Sequence, residues 1–160
     1  EAILDADPRL RRGDLGGRIV LELDLQPGLE MDSYPGPLEQ VISNLLINAA
    51  ESMAAGGQER EPGLLRITAD PADPNEPHLA HLRFTDNGQG IPAEALPRLF
   101  ERGFTSKARG SGIGLHWCAN TMAAMGGRIH ASSDGPGRGA CLHLVLPLAD
   151  HNASPPEAEA

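Results

Sequence analysis

The chain has 160 residues, thirteen of them basic and twenty-two acidic, for a net charge of −9. Hydrophobic residues make up 40% and aromatics only 3%, so a core of Leu, Ile, Val and Ala is available and wholesale disorder is excluded. The acidic balance speaks against a general nucleic-acid or anionic-membrane surface.

No apolar run approaches the ~20 residues of a membrane span. Cys118 and Cys141 stand far apart with no CxxC and no histidine pair nearby, which argues against a disulfide framework or a zinc site. Residues 1–17 are charged and irregular. They read as a stub of an upstream region, since the chain opens at Glu1 without a signal-like segment. Arg18–Leu25 alternates like a strand, and Pro27, Gly28, Pro35 and Gly36 mark 26–36 as connection. Pro37 opens the clearest helix, with Leu38, Val41, Ile42, Leu45, Leu46, Ala49 and Met53 in one stripe and Gly56-Gly57 as its stop. Its other face carries Asn44 and Asn48, one turn apart. Solvated helix faces favour Lys and Glu, and Asn is a mediocre helix former, so this pair stands out.

Leu64–Ala69 and His78–Thr85 are predicted strands across a loop Asp70–Pro77, whose three prolines forbid pairing inside it. Ala93–Phe100 carries helical signals, Gly103–Gly112 is glycine-rich and basic, and Leu115–Met125 reads as a helix stopped by Gly126-Gly127. Arg128–Ala131 and Ala140–Leu146 are strands around the turn Ser133–Gly139, followed from residue 149 by a polar tail. This order predicts an α/β two-layer sandwich over 18–148.

Three stretches point to chemistry. Asp86-Asn87-Gly88-Gln89-Gly90 follows a strand, so a carboxylate at a strand end is flanked by glycines that allow close backbone approach. It could accept from the exocyclic amine of an adenine, with Ile91 on the ring face. A plain Asp-Asn-Gly turn is the competing reading. Gly110-Ser111-Gly112-Ile113-Gly114-Leu115 leads into a helix, where free N–H groups and the helix dipole suit an anion. It lacks the GK[ST] of a Walker A loop and the βαβ context of a Rossmann fingerprint. Between them, Arg98, Arg102, Lys107 and Arg109 oppose only Glu101, a basic island in an acidic chain. That is what a polyphosphate needs nearby, against the alternative of a solvated loop.

In this order the motifs resemble the catalytic and ATP-binding domain of two-component sensor histidine kinases, in the GHKL ATPase superfamily. Asn44-Leu-Leu-Ile-Asn48 resembles the N box and Asp86–Gly90 the first glycine box. Leu99–Lys107 resembles the F box, Gly110–Leu115 the second glycine box, and Asp134–Gly139 the closing glycine turn. The likeness covers roughly Arg18 to Leu148. It implies a Bergerat-type fold: a mixed, mainly antiparallel sheet with helices packed on one face.

The resemblance also implies ATP and Mg²⁺ as cofactors, with Asn48 on Mg²⁺ and Asn44 beside it at the phosphates. Asp86 would accept from adenine in a pocket shaped by Gly88, Gly90 and Ile91. Gly110, Gly112, Ile113, Gly114 and Leu115 would hold the phosphates under a lid anchored by Phe100 and Phe104. Lys107, Arg102 or Arg109 would meet the β- or γ-phosphate, so Asn44, Lys107 and Arg102 form the expected catalytic set. Arg102-Gly103, Ser52 and Ala140 depart from the commonest family pattern.

Gyrase- and Hsp90-like ATPases carry a Glu general base one turn before the Mg²⁺-binding Asn. Asn44 occupies that place here and cannot take a proton, which favours transfer over hydrolysis. None of the six histidines has the phosphoacceptor pattern. The expected partners are an upstream histidine-bearing dimerisation domain and a response-regulator receiver domain, with no nucleic acid and no direct membrane contact. The expected location is cytoplasmic, with a membrane anchor of the parent left open. The alternative function is an anti-sigma-like serine kinase or a degenerate nucleotide-binding regulatory module.

Overall fold

The computed structural model describes residues 19–30, 34–55, 62–73, 75–105 and 110–149. The predicted stub 1–17, Arg18, the stop at Gly56-Gly57, Lys107 with Arg109, and the tail from residue 150 lie outside them.

Five strands form one sheet in the order β1-β2-β3-β5-β4. They are β1 (Ile19–Leu25), β2 (Gly63–Asp73), β3 (Glu76–Asp86), β4 (Arg128–Ser132) and β5 (Ala140–Pro147). Only β1 and β2 run parallel, and a parallel pair needs a crossover. Helix α1 (Pro35–Ala54) supplies it, while β2–β3 and β4–β5 are antiparallel neighbours. Helix α2 (Gly114–Ala124) packs beside α1, giving the two-layer, mainly antiparallel sandwich.

Helix α1 begins at Pro35, two residues before the expected Pro37. Both prolines fall in the first turn, where a missing N–H has no helical partner to lose. The stripe predicted from spacing is the buried one: Leu38, Val41, Leu45, Leu46 and Ala49 face the sheet. They meet the inward residues Leu65 and Ile67 of β2, Leu82 and Phe84 of β3, and Leu142, Leu144 and Leu146 of β5. Strand alternation selects every second residue for this core. On β3 the inward series Ala80, Leu82, Phe84 continues to Asp86, which is thereby carried under the helix layer rather than into solvent.

Two local expectations fail. The segment Asp70–Pro77 is not an unpaired loop. The ladder continues through Asp70↔His81 and Pro71↔Ala80 to Asp73↔Glu76, with a register shift between Pro71 and Asp73. Pairing with β1 stops at Ala69, so Pro71 sits where β2 has a free edge, the place a strand tolerates proline. Ala93–Phe100 forms turns around a single 3-10 turn, Leu96–Arg98, and not a longer helix. Pro97 removes an N–H that an α-helix needs.

The outer face of the sheet is polar. Arg83 is held by Thr68 at 2.9 Å and by the Asp70 carboxylate, Arg66 by Glu22 at 2.7 Å, and Arg128 by Glu76 at 2.8 Å. His81, His143 and His130 share this face. Burial first, then neighbouring cationic groups, holds His81 below the usual histidine range and His143 at about 4.

Candidate functional site

Between α1 and the loops at the Asp86 end of β3 lies a cavity of about 610 Å³. Asn44, Asn48, Asp86, Gly90, Ile91, Gly110, Gly112, Gly114 and Leu115, all singled out from sequence, line it. These residues span seventy-two positions of sequence, from the helix through two glycine-rich loops, and converge on one concave surface.

Asp86 is the one buried charged side chain among the described residues. Its Oδ1 accepts from the Gly88 N–H at 2.8 Å and the Ser52 hydroxyl at 3.2 Å. Burial raises the carboxyl above its ordinary range, while the Gly88 N–H, Ser52 and the Ala140 backbone pull it back. Gly88 does not line the cavity but is packed beneath it. A Cβ there would lie 2.7 Å from the Ser52 carbonyl carbon and 2.7 Å from Asp86 Oδ1, so only glycine lets the loop close over the carboxylate.

In the sequence Ser52 is only a departure from pattern. It emerges as a central link. Its hydroxyl donates to Asp86 and accepts from the Gln89 N–H at 3.1 Å, and its carbonyl accepts from the same N–H at 3.2 Å. One turn of α1 thus fixes the Asp86 loop. From the other side, the turn Ser133–Gly139 buttresses it. Gly137 N–H donates to Gln89 O at 2.6 Å, Gly139 N–H to Gly88 O at 3.2 Å, and Ile91 N–H to Ser133 Oγ at 3.0 Å. Gly90 has φ +71°, and a Cβ would meet the Gly135 carbonyl carbon at 3.0 Å.

Asn44 stands eight residues before Ser52 on the same helix, about 12 Å along its axis at 1.5 Å per residue. Its side chain hydrogen-bonds the buried Cys118 thiol. A Cβ on Gly114, the first residue of α2, would lie 3.9 Å from Asn44 Oδ1. The cavity therefore has a carboxylate end at Asp86 and Ser52, and an end formed by Asn44 and the start of α2. Glu51, exposed at the rim, neighbours Ser52 and so belongs to the Asp86 end. Burial pushes the Cys118 thiol up to about 11, so it is a packing group at neutral pH and not a nucleophile.

Three predicted contacts do not reach the cavity. Phe100, expected as an anchor, packs against the hydrophobic core without lining the cavity, and its carbonyl accepts from His116 Nδ1 at 3.0 Å, tying the turn to α2. Ile113 is 55% exposed at the N-cap of α2, because its side chain points outward where the glycines turn inward. Arg102 is exposed on a turn and does not line the cavity. Phe104 does line the cavity, with the Arg98 guanidinium carbon 4.9 Å from its ring centroid. Gly103 N–H donates to Gly112 O at 3.0 Å, joining the two sides of the basic segment. Leu142 and Ala140 of β5 also line the cavity; Ala140 stands out in the sequence only as a departure from the family pattern, and the strand pairing Asp86↔Ala140 places both there.

Residues 34–150 match the family of histidine kinase-, DNA gyrase B-, and HSP90-like ATPases. The chain belongs to this family. It is 35% identical over 135 residues to the sensor protein FixL of Bradyrhizobium diazoefficiens, covering 84% of this chain and 25% of that protein. The mycobacterial sensor histidine kinase MprB superposes with a TM-score of 0.72 at 28% identity, covering 92% of this chain and 93% of that one. Full-length ShkA, solved in complex with AMPPNP, superposes with a TM-score of 0.66 at 26% identity over 82% of this chain and 26% of that one. In sequence and in fold the chain is thus similar to sensor histidine kinases. The chain spans a quarter or less of the length of the first curated relatives it matches.

Proposed function

We propose that the cavity binds ATP with Mg²⁺ and donates the γ-phosphoryl group to a histidine on a separate dimerisation domain of a two-component signalling kinase. The carrying observation is Asp86: a buried carboxylate, with Oδ1 held by Ser52 and Gly88, opens onto a cavity of nucleotide size. An ionised acceptor in that position suits the exocyclic amine of adenine, and Ile91 offers an apolar wall for the ring.

At the other end, Gly110, Gly112 and Gly114 leave backbone N–H groups and the α2 N-terminus for phosphate oxygens. The amide oxygen of Asn48 is a hard donor that fits Mg²⁺, and the ion would offset phosphate charge there. Asn44 orients phosphate oxygens from the same helix face. Neither it nor any described carboxylate at the Gly114 end can deprotonate a water. The attacking group is then the imidazole nitrogen of the acceptor. The bond from the γ-phosphorus to the β–γ bridging oxygen breaks, ADP leaves, and the proton of the attacking nitrogen goes to a base on the acceptor domain. The work of this chain is positioning and charge neutralisation. Lys107 and Arg109, between Thr105 and Gly110 in sequence, are the basic residues proposed to meet the terminal phosphates; Arg102 belongs to the same group.

The test is calorimetric titration with ADP, with and without Mg²⁺, followed by phosphotransfer to a histidine-bearing dimerisation domain. Tighter binding with Mg²⁺ and an acid-labile phosphoprotein support the reading. An acid-stable phosphoprotein points to a serine kinase, and no binding points to a degenerate regulatory module.

A further inference from the structure

The sheet face turned away from the helices carries a cluster that the nucleotide cavity does not use. On β5 and β4, His143 and His130 are direct cross-strand partners, and His81 of β3 pairs with Val145, one step along the same face. The His130 and His143 rings stack with centroids 4.3 Å apart at 5°. The His81 centroid is 5.2 Å from that of His143. One ring nitrogen from each residue lies within 4.8 Å of the other two. His81 Nε2 and His143 Nδ1 are 3.0 Å apart, so at most one of those two atoms carries a proton.

We propose that His81, His130 and His143 form a three-imidazole site for a borderline divalent cation of the Zn²⁺ class, with water as the fourth ligand. Three neutral imidazoles with one open position are a donor set that Zn²⁺ accepts, and imidazole also suits Cu²⁺ and Ni²⁺. Tetrahedral Zn–N bonds of ~2.0–2.1 Å put ligand nitrogens about 3.3–3.4 Å apart. The His81–His143 pair needs to open by only a few tenths of an ångström. His130 is exposed and sits on the edge strand β4, so its ring has room to turn out of its stack on His143 and aim a nitrogen at the ion.

The surroundings orient the ligands. Ser132 Oγ lies 2.9 Å from His143 Nε2. With Ser132 accepting from Nε2–H, the Nδ1 lone pair faces the cluster, the kind of outer hydrogen bond that fixes a ligating tautomer. Arg83 is the competing charge, its Nη1 3.5 Å from His81 Nδ1. Its charge is offset by Asp70, as that of Arg128 is by Glu76. Cation binding moves the His81 proton to Nδ1, and the guanidinium then withdraws toward the Asp70 carboxylate that already holds it. A bound ion would clamp the edge strand β4 to β5 and β3.

The test uses inorganic Zn²⁺, titrated into the untagged 160-residue chain without nucleotide, so its failure is separate from any failure of the nucleotide reading. One strong site per chain is expected, with a rise in melting temperature. His130→Ala and His143→Ala should each weaken binding by more than the ~10–100-fold typical of losing an outer-shell partner and abolish the thermal shift. His78→Ala, an exposed position on β3 outside the cluster, should change neither. Co²⁺ in place of Zn²⁺ should give a tetrahedral visible spectrum in the wild type and in His78→Ala, and not in His130→Ala or His143→Ala. Absence of binding in the wild type overturns the proposal, as does binding that survives His130→Ala. Because His130 is exposed on an edge strand, that variant decides the matter even if His143→Ala fails to fold.

Discussion

Asp86→Asn separates the role of this carboxylate in binding from its role in the fold. Asparagine is nearly isosteric, and its Oδ1 can still accept from the Gly88 N–H and the Ser52 hydroxyl, now at 2.8 and 3.2 Å. The loop should therefore keep its shape. Burial raises the folded-state carboxyl above its unfolded value. The sign follows: the folded chain holds this proton more tightly than the unfolded one, so stability from this group is greatest at low pH. It is lost as pH rises through the raised folded value. At neutral pH the ionised carboxylate is thus a cost to the fold, and Asp86→Asn should melt at the same or a higher temperature than the wild type.

Nucleotide binding should change in the opposite direction. The variant points an amide donor at the adenine amine where a charged acceptor stood. A hydrogen bond to a charged group contributes ~1.5–3 kcal/mol, which is about 10- to 150-fold in affinity at 1.4 kcal/mol per tenfold. Titration calorimetry with ADP at neutral pH reads this directly. The loss should be equal with and without Mg²⁺, because the proposed Mg²⁺ ligand Asn48 stands a full turn of α1 away from Ser52, which holds the carboxylate. Wild-type affinity should fall as pH drops through the raised Asp86 range, and the variant should show no such fall. ADP affinity within about threefold of wild type, well under half of the smallest loss expected, refutes the assignment of Asp86 to adenine. A collapsed melting temperature would make it a structural residue instead.

Asn48→Ala should leave Mg²⁺-free ADP binding close to wild type and erase the enhancement by Mg²⁺; retained enhancement in calorimetry removes Asn48 as the ligand. Leu45→Ala empties a fully buried position of α1 and should cost ~2–5 kcal/mol in denaturant unfolding, a smaller loss meaning that the helix–sheet core repacks. Gly90→Ala forces a Cβ against the Gly135 carbonyl at a positive φ and should lower stability by ~1–2 kcal/mol while weakening ADP binding; a stable variant with normal affinity shows the turn contact to be dispensable.

Much of the site could be read from the sequence because its chemistry is concentrated in short, glycine-marked segments. Asn44 and Asn48 were conspicuous as poor helix formers on a regular helix, and they line the cavity. Ser52 was not conspicuous, since its importance depends on how α1 sits over the end of β3, a tertiary fact that no local pattern carries. Asp70–Pro77 departs from the expected loop for a local reason: its prolines do not tell which edge of β2 lacks a neighbour. At Ala93–Phe100 the helical signals yield only a 3-10 turn, because Pro97 removes an N–H that a longer helix needs. The three histidines, at positions 81, 130 and 143, become neighbours only through the β3-β5-β4 strand order. No spacing rule for metal ligands finds them, and the sequence argument against a zinc site rests on such rules.

One register decides both faces of the sheet. The even-numbered residues of β3, Ala80, Leu82, Phe84 and Asp86, face the helices, and the odd-numbered His81 and Arg83 face away. A slip by one residue would exchange these sets, placing imidazole and guanidinium in the core and turning Asp86 out of the cavity. The pairing near Asp86 is regular, with Leu65↔Asp86 and Asp86↔Ala140. The irregularity in the β2–β3 ladder is confined to Pro71 and Asp73, near the other end of the hairpin. A bulge is a device for absorbing an extra residue at the cost of local pairing. Its position there lets the hairpin accommodate a proline-rich turn without passing the error along the strand. The apolar alternation of β3 and β5 then holds the register up to the carboxylate, so the hydrophobic core and the proposed adenine contact depend on the same pairing.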